Sequence, residues 1–117
     1  MDCKERKFYI MEEFKITIAE DFSNTPGGRW ERLGPHSGEE FYNTLLFPRY
    51  QEAIKAGKQL HIYLDGVKSY PSSFLDQSFG ELGRAEGENN VNSIICFHTS
   101  NFEWVIDYIK NQIWFKK

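Results

Sequence analysis

Apolar and polar residues alternate in some stretches of the chain and recur at helical spacing in others. Residues 14–18 and 60–64 alternate with period two, which is typical of half-buried β-strands. Residues 91–97 end in an unbroken apolar run, which predicts a strand buried on both sides. Residues 75–85 and 102–113 instead place apolar residues at the spacing of one helix face.

Three helix starts carry the sequence of a capping box, in which a serine hydroxyl accepts from the amide three residues on. The pairs are Ser37 with Glu40, Ser73 with Asp76, and Ser100 with Glu103. The first predicted helix runs to about Ala56 and ends at Gly57, while Pro48 predicts a kink or a break within it. The second predicted helix ends at Gly87.

Strands that alternate with helices predict a mainly parallel sheet with helical crossovers, and therefore a small α/β domain. We expect residues 1–12 to form an N-terminal arm with a candidate short edge strand, and residues 13–117 to form a single domain. The polar, Gly/Pro-rich stretch from Asp21 to Ser37 is unusually long for a loop inside a compact domain, and such loops are often functional.

Composition and charge narrow the class of protein. The 117 residues include 14 basic and 17 acidic side chains, a net charge of −3, which argues against nucleic acid as a partner. There is no apolar run of about 20 residues and no signal-peptide pattern, so we expect neither a membrane partner nor export, but a cytoplasmic protein.

Two adjacent serines, Ser72 and Ser73, follow the strand at 60–64 and the turn after it. A helix start has free N–H groups and the positive end of the helix dipole, so a phosphate group is well placed there. The same serines are also good N-caps, so the alternative is that they only begin the helix.

The segment that runs from Asp65-Gly66-Val67 through Ser72-Ser73 to Leu82-Gly83-Arg84 resembles the STAS domains of bacterial anti-sigma-factor antagonists. Three further segments are similar to an uncharacterised STAS-like family of small prokaryotic domains. They are Pro26-Gly27-Gly28-Arg29, Ser37-Gly38-Glu39-Glu40-Phe41 and Pro71-Ser72-Ser73-Phe74-Leu75-Asp76-Gln77-Ser78-Phe79-Gly80. The resemblance covers roughly residues 14–110.

This resemblance implies a small STAS-like sandwich, in which a mixed sheet of about four strands is covered mainly on one face by three helices. It also implies a non-enzymatic regulatory module that binds an ATPase or kinase of histidine-kinase-like fold and is switched by serine phosphorylation. The candidate partner-binding or phosphorylation residues are Ser72, Ser73, Phe74, Leu75 and Asp76. The sequence leaves the oligomeric state open.

The loop at 26–38 supports a second hypothesis, a site for a small anion or a nucleotide. The candidate residues are Arg29, Arg32, His36 and Ser37, which would converge on the start of the first helix. Alternatively the loop is structural, and Arg29 pairs with a carboxylate such as Glu39 or Asp65. The sequence contains no phosphate-loop pattern.

Catalytic and metal chemistry find little support in the sequence. The spacing of His36, His61 and His98 matches no compact metal motif, so we expect no metal and no cofactor. Cys96 and His98 share one strand face by period two, but the apolar run around Cys96 does not favour a nucleophile. We therefore expect no catalytic residues and no enzyme.

Overall fold

The computed structural model describes residues 14–116, and within them three short strands form a wholly parallel sheet. The strands are β1 (Lys15–Thr17), β2 (Leu60–Tyr63) and β3 (Ile95–His98), with β2 in the middle. Ile16, Ile62 and Phe97 are paired across the sheet and face the core. The α/β class is therefore confirmed, whereas a fourth strand is not part of the described range, and the candidate edge strand in residues 1–12 lies outside it.

The first long helix spans residues 38–56, as the sequence predicts. It consists of α1 (Gly38–Phe41), a π turn (Tyr42–Leu46) and α2 (Phe47–Ala56), and Gly57 ends it in a left-handed conformation with φ 69°. Pro48 does not break it, because the proline follows directly on the π turn, where the Phe47 N–H reaches back five residues to the Tyr42 carbonyl. The wider turn loosens the helix ahead of a residue that has no N–H to donate.

The second long helix spans residues 72–86 and is built in the same way. It consists of α3 (Ser72–Leu75), a π turn (Asp76–Gly80) and α4 (Glu81–Glu86). Trp114 supports the π turn, since its indole N–H donates to the buried Phe79 carbonyl at 2.9 Å. The indole lies directly on Gly83, where a Cβ would come within 2.7 Å of it, so the glycine makes room for the ring.

The strand predicted at 91–97 is wrong in its first half. Residues Glu88–Ile94 form the short helix α5, and the strand begins only at Ile95. Val91 N–H donates to Gly87, and the Ser93 hydroxyl donates to the Asn90 carbonyl within the same helix. The polar Ser93 between Val91 and Ile94 thus makes a local hydrogen bond of a helix, so the apolar run at the end of this segment does not extend the strand back to Val91.

The last helix consists of α6 (Glu103–Tyr108) and a π turn (Ile109–Trp114). Its predicted Ser100–Glu103 cap is replaced by another arrangement. The Phe102 N–H donates to the Thr99 hydroxyl at 2.8 Å, and Asp65 from the end of β2 accepts from the Ser100 and Asn101 N–H groups. Within residues 14–116, the sheet is therefore accompanied by more helical segments than the three predicted helices.

The core lies between the sheet and the two long helices. Its aromatic part is a row of Phe22, Phe41, Phe74 and Phe79, with ring centroids 5.1 to 6.1 Å apart along the row. Phe41 and Phe74 come from the first turns of the two long helices, so their contact fixes the two helix starts beside each other. Across residues 14–116, every helix is too short or too polar to cross a membrane.

Candidate functional site

The start of the second long helix is held by the turn that follows β2. Tyr70 is buried and its hydroxyl donates to the Leu64 carbonyl at 2.7 Å, which closes the turn. Burial, with a smaller contribution from Asp65, raises the pKa of the Tyr70 hydroxyl well above its ordinary value, so it remains a donor at any physiological pH. Pro71 then directs the chain into the helix from an extended conformation, at φ −64° and ψ 141°.

Ser72 and Ser73 do not cap this helix, contrary to the capping pair predicted from Ser73 and Asp76. The N-cap residue is Pro71, and its carbonyl accepts from the Phe74 and Leu75 N–H groups. Ser72 is exposed and Ser73 half-buried, and neither hydroxyl has a hydrogen-bond partner among the described residues. The two serines begin the helix without contributing a cap.

Phe74 and Leu75 are fully buried in the core. Their side chains pack into the core and anchor the helix start there. Because they have no exposed surface, they cannot touch a partner directly. Their assignment as partner-binding residues is therefore corrected. Their positions in the sequence are those of the helix side that faces the core. Ser78 is also buried, and its hydroxyl donates to the Phe74 carbonyl at 2.7 Å.

Asp76 is the centre of an ion-pair network. Its carboxylate lies 2.7 Å from the Arg29 guanidinium and 3.4 Å from Arg84, and Arg84 also reaches Glu81 at 3.3 Å. Burial acts to raise the pKa of Asp76, but the hydrogen bonds and charges of the two arginines outweigh it, and the pKa is lowered. Arg29 belongs to the candidate anion loop and Asp76 to the candidate serine site, so the structure joins the two predicted sites into one.

The loop at 26–38 folds over the start of the first long helix. The Gly28 and Arg29 carbonyls accept from the Gly38 and Glu39 N–H groups at 2.8 and 3.0 Å. The Ser37 hydroxyl accepts from the Glu40 N–H at 3.0 Å, which confirms this cap. The Glu40 carboxylate accepts from the His36 N–H, one residue earlier than the usual capping box. The donors of this helix start are therefore already used by the chain itself.

The four candidate anion-binding residues are not brought together. Arg29 is paired with Asp76, Ser37 is buried as a cap, and the His36 ring packs edge-on against Phe22. Arg32 is exposed on a short 3-10 turn at Glu31–Leu33. The alternative pairing of Arg29 was predicted with Glu39 or Asp65, but the carboxylate it finds is Asp76, and Glu39 accepts from the Glu31 N–H instead.

The absence of a side chain at Gly38 allows the two helix starts to lie in contact. A Cβ at Gly38 would come within 2.6 Å of the Phe74 carbonyl oxygen and 3.0 Å of the Gln77 Cβ. The first turns of the two long helices are thus in direct backbone contact. Because Gly38 and Phe74 are 36 positions apart, sequence patterns do not reveal this contact, although the glycine directly after the capping serine is the signal that could have suggested it.

A cavity of about 620 Å³ lies at the carboxyl end of the strands, lined by residues that include Thr17, Tyr63, Asp65, His98 and Ser100. At the rim of the cavity, the Asp65 carboxylate accepts hydrogen bonds from the loop that follows β3. The Thr99 hydroxyl and two backbone N–H groups of this loop lower the pKa of Asp65. Asp65 and Asp76 have separate partners, since Asp65 accepts from Thr99 whereas Asp76 accepts from Arg29.

A family model described as a STAS-like domain of unknown function matches residues 37–101, which is more than half of the chain. No curated protein and no solved structure matches it. The matched range begins at the Ser37 cap and includes Gly38. It also contains the whole second long helix, with Ser72 and Asp76. The chain therefore belongs to the family of STAS-like domains of unknown function.

Proposed function

We propose that this domain is a regulatory protein-interaction module with no chemistry of its own, and that its partner is an ATPase or kinase of histidine-kinase-like fold. The family match supports a STAS-like domain. The antagonist STAS domains that the sequence resembles bind such a partner through the start of the corresponding helix. We assign the contact to a surface made of Ser72, Ser73, Asp76, Arg29 and Arg84, called the serine face below.

One observation carries the proposal. Ser72 is exposed, has no hydrogen-bond partner in the described range, and lies one helical turn from Asp76, whose carboxylate pairs with two arginines. Ser72 and Asp76 are separated by four positions, so they share one side of the helix. Arg29 and Arg84 converge on that side. Three charged groups and a modifiable hydroxyl therefore lie together on a surface that a partner can reach.

A phosphate on Ser72 would change this surface without changing the fold. It adds a charge of about −1.5 to −2 and three strong acceptor oxygens. Guanidinium groups bind phosphate through paired hydrogen bonds, so the phosphate would compete with Asp76 for Arg29. The positive end of the helix dipole also favours an anion at this position, and Pro71 supplies no side-chain cap that would stand in the way.

The proposal is tested by calorimetric titration of the chain with each histidine-kinase-like ATPase encoded in the host genome. We expect one of them to bind, and the double substitution Ser72→Asp and Ser73→Asp to weaken binding by at least about tenfold. Ser93→Asp is the matched control for Ser72→Asp alone, because each adds one negative charge at an exposed serine, and Ser93 lies on α5. Incubation of the complex with ATP, followed by mass spectrometry, shows whether Ser72 or Ser73 gains a phosphate.

Two results would overturn the proposal. Absence of binding across the whole set of ATPases removes the partner class. An equal loss of affinity in the Ser93→Asp control would show that added charge acts on the protein generally, and not at the serine face.

A further inference from the structure

The sheet face that points away from the core carries an unusual set of side chains. The register pairs Lys15 with His61 and His61 with Cys96, and it pairs Thr17 with Tyr63 and Tyr63 with His98. Because side chains alternate along each strand, these six share one face, opposite Ile16 and Ile62. The face therefore combines two imidazoles, a sulfur and a phenol on neighbouring strands.

His61 and His98 are diagonal neighbours on this face, and their ring nitrogens meet. His61 Nδ1 lies 2.8 Å from His98 Nε2, while the ring centroids are 5.0 Å apart, so the two nitrogens are the closest parts of the rings. Tyr63 stacks on His98 with centroids 4.5 Å apart and an angle of 13°, which holds that imidazole in orientation. One of the two nitrogens thus donates its N–H to the lone pair of the other, and the shared proton lies between the rings.

A proton or a metal ion can occupy such a point. Imidazole nitrogens bind Zn²⁺ at ~2.0–2.1 Å, which places two ligands of a tetrahedral site about 3.3 Å apart. The observed 2.8 Å needs an opening of only about half an ångström to reach that spacing, which small side-chain rotations supply. Cys96 Sγ lies within 4.8 Å of both nitrogens, but this sulfur is in a disulfide bond and offers no thiolate, so the two imidazoles are the ligands.

The cluster also has a path for an ion. His98 lines the cavity of about 620 Å³ at the carboxyl end of the strands, together with Thr17, Tyr63 and Ser100. Both histidines are only half-buried. Solvent in the cavity can therefore complete the coordination of an ion that two imidazoles hold.

We propose that His61 and His98 form a binding site for a divalent transition-metal ion of the Zn²⁺ or Cu²⁺ class, on the sheet face opposite Ile16 and Ile62. Nitrogen ligands select these borderline ions over Mg²⁺, which prefers oxygen. The site is separate from the serine face, and neither of its two ligands takes part in the proposed partner contact. The sequence does not reveal this histidine pair, because His61 and His98 are 37 positions apart and only the strand register brings them together.

The test uses the full chain, ZnCl₂ and NMR of the imidazole nitrogens. We expect one equivalent of Zn²⁺ to shift His61 Nδ1 and His98 Nε2 and to leave His36 unchanged, while MgCl₂ shifts none of them. In calorimetric titrations, His61→Gln and His98→Gln should each weaken Zn²⁺ binding at least tenfold. His36→Asn and Cys96→Ser should retain it, since the proposal rests on the two imidazoles.

Three results would overturn the proposal. The first is the absence of any shift at His61 and His98 with Zn²⁺. The second is a shift confined to His36. The third is binding that survives both glutamine substitutions but is lost in Cys96→Ser. The NMR measurement needs no substitution, so it decides the question even where a variant fails to fold.

Discussion

Replacing Gly38 by alanine tests the contact that joins the two helix starts. The added Cβ would lie 2.6 Å from the Phe74 carbonyl oxygen, which falls at least 0.8 Å short of ordinary van der Waals contact. The obstacle is backbone and the Cβ of Gln77, so no flexible side chain can swing aside. One helix start must therefore move away from the other.

The expected loss of stability follows from two opposing effects. Forcing an extra methyl group into a packed site costs about 1–3 kcal/mol. Alanine also restricts the unfolded chain, which returns about 0.4–1 kcal/mol. The net loss is roughly 1–2 kcal/mol, and for a domain of this size it lowers the melting temperature by about 3–8 °C.

Thermal unfolding followed by circular dichroism, together with urea titration, measures this change. Gly28→Ala is the matched control, because Gly28 lies in the adjoining loop, has no positive φ, and a Cβ there would meet nothing within 4 Å. Its melting temperature should equal or exceed that of the wild type. If Gly38→Ala is as stable as Gly28→Ala, the two helix starts are not in backbone contact and the reasoning fails.

Three further outcomes are expected. Trp114→Phe should cost about 1–2 kcal/mol in urea unfolding, since it leaves the buried Phe79 carbonyl without its donor; no change would show that the π turn does not need the indole. Asp65→Asn should destabilise the chain at neutral pH by about 1–2 kcal/mol, because an amide accepts more weakly than a carboxylate from the loop that follows β3. Folding lowers the pKa of the Asp65 carboxyl, so its contribution to stability is present above the unfolded pKa of about 4 and is lost as pH falls through the lower folded value. Identical acid-unfolding curves for the variant and the wild type would contradict this. Asp76→Asn should likewise flatten the loss of stability below about pH 4 and release Arg29, which NMR of the guanidinium detects; an unchanged Arg29 signal would speak against the pair.

Local patterns predicted the parts of the fold that local interactions determine. The Ser37 cap, the Gly57 C-cap and strand β2 follow from residues within a few positions of one another, and all three are present. Helix α5 was missed because its polar residues make their own local hydrogen bonds, which the apolar pattern of 91–97 does not record. Apolar periodicity alone cannot separate a short helix from a strand when the run is brief.

The candidate site shows the same limit on a larger scale. The sequence identified Arg29 and Asp76 as belonging to two separate hypotheses, and only the fold pairs them across 47 positions. It also marked Phe74 and Leu75 as contact residues, although their spacing is equally that of a buried helix side. Long-range pairing depends on how the helices pack on the sheet, and that information is absent from any short motif.

The most direct test of the central claim is an NMR titration of the ¹⁵N-labelled chain with the histidine-kinase-like ATPase that binds it. The account predicts that the largest shifts fall on Ser72, Ser73 and Asp76 and on the guanidinium of Arg29, while the exposed positions of α2, such as Lys55, stay unchanged. Shifts centred on α2 or α6, with the serine face unaffected, would contradict it.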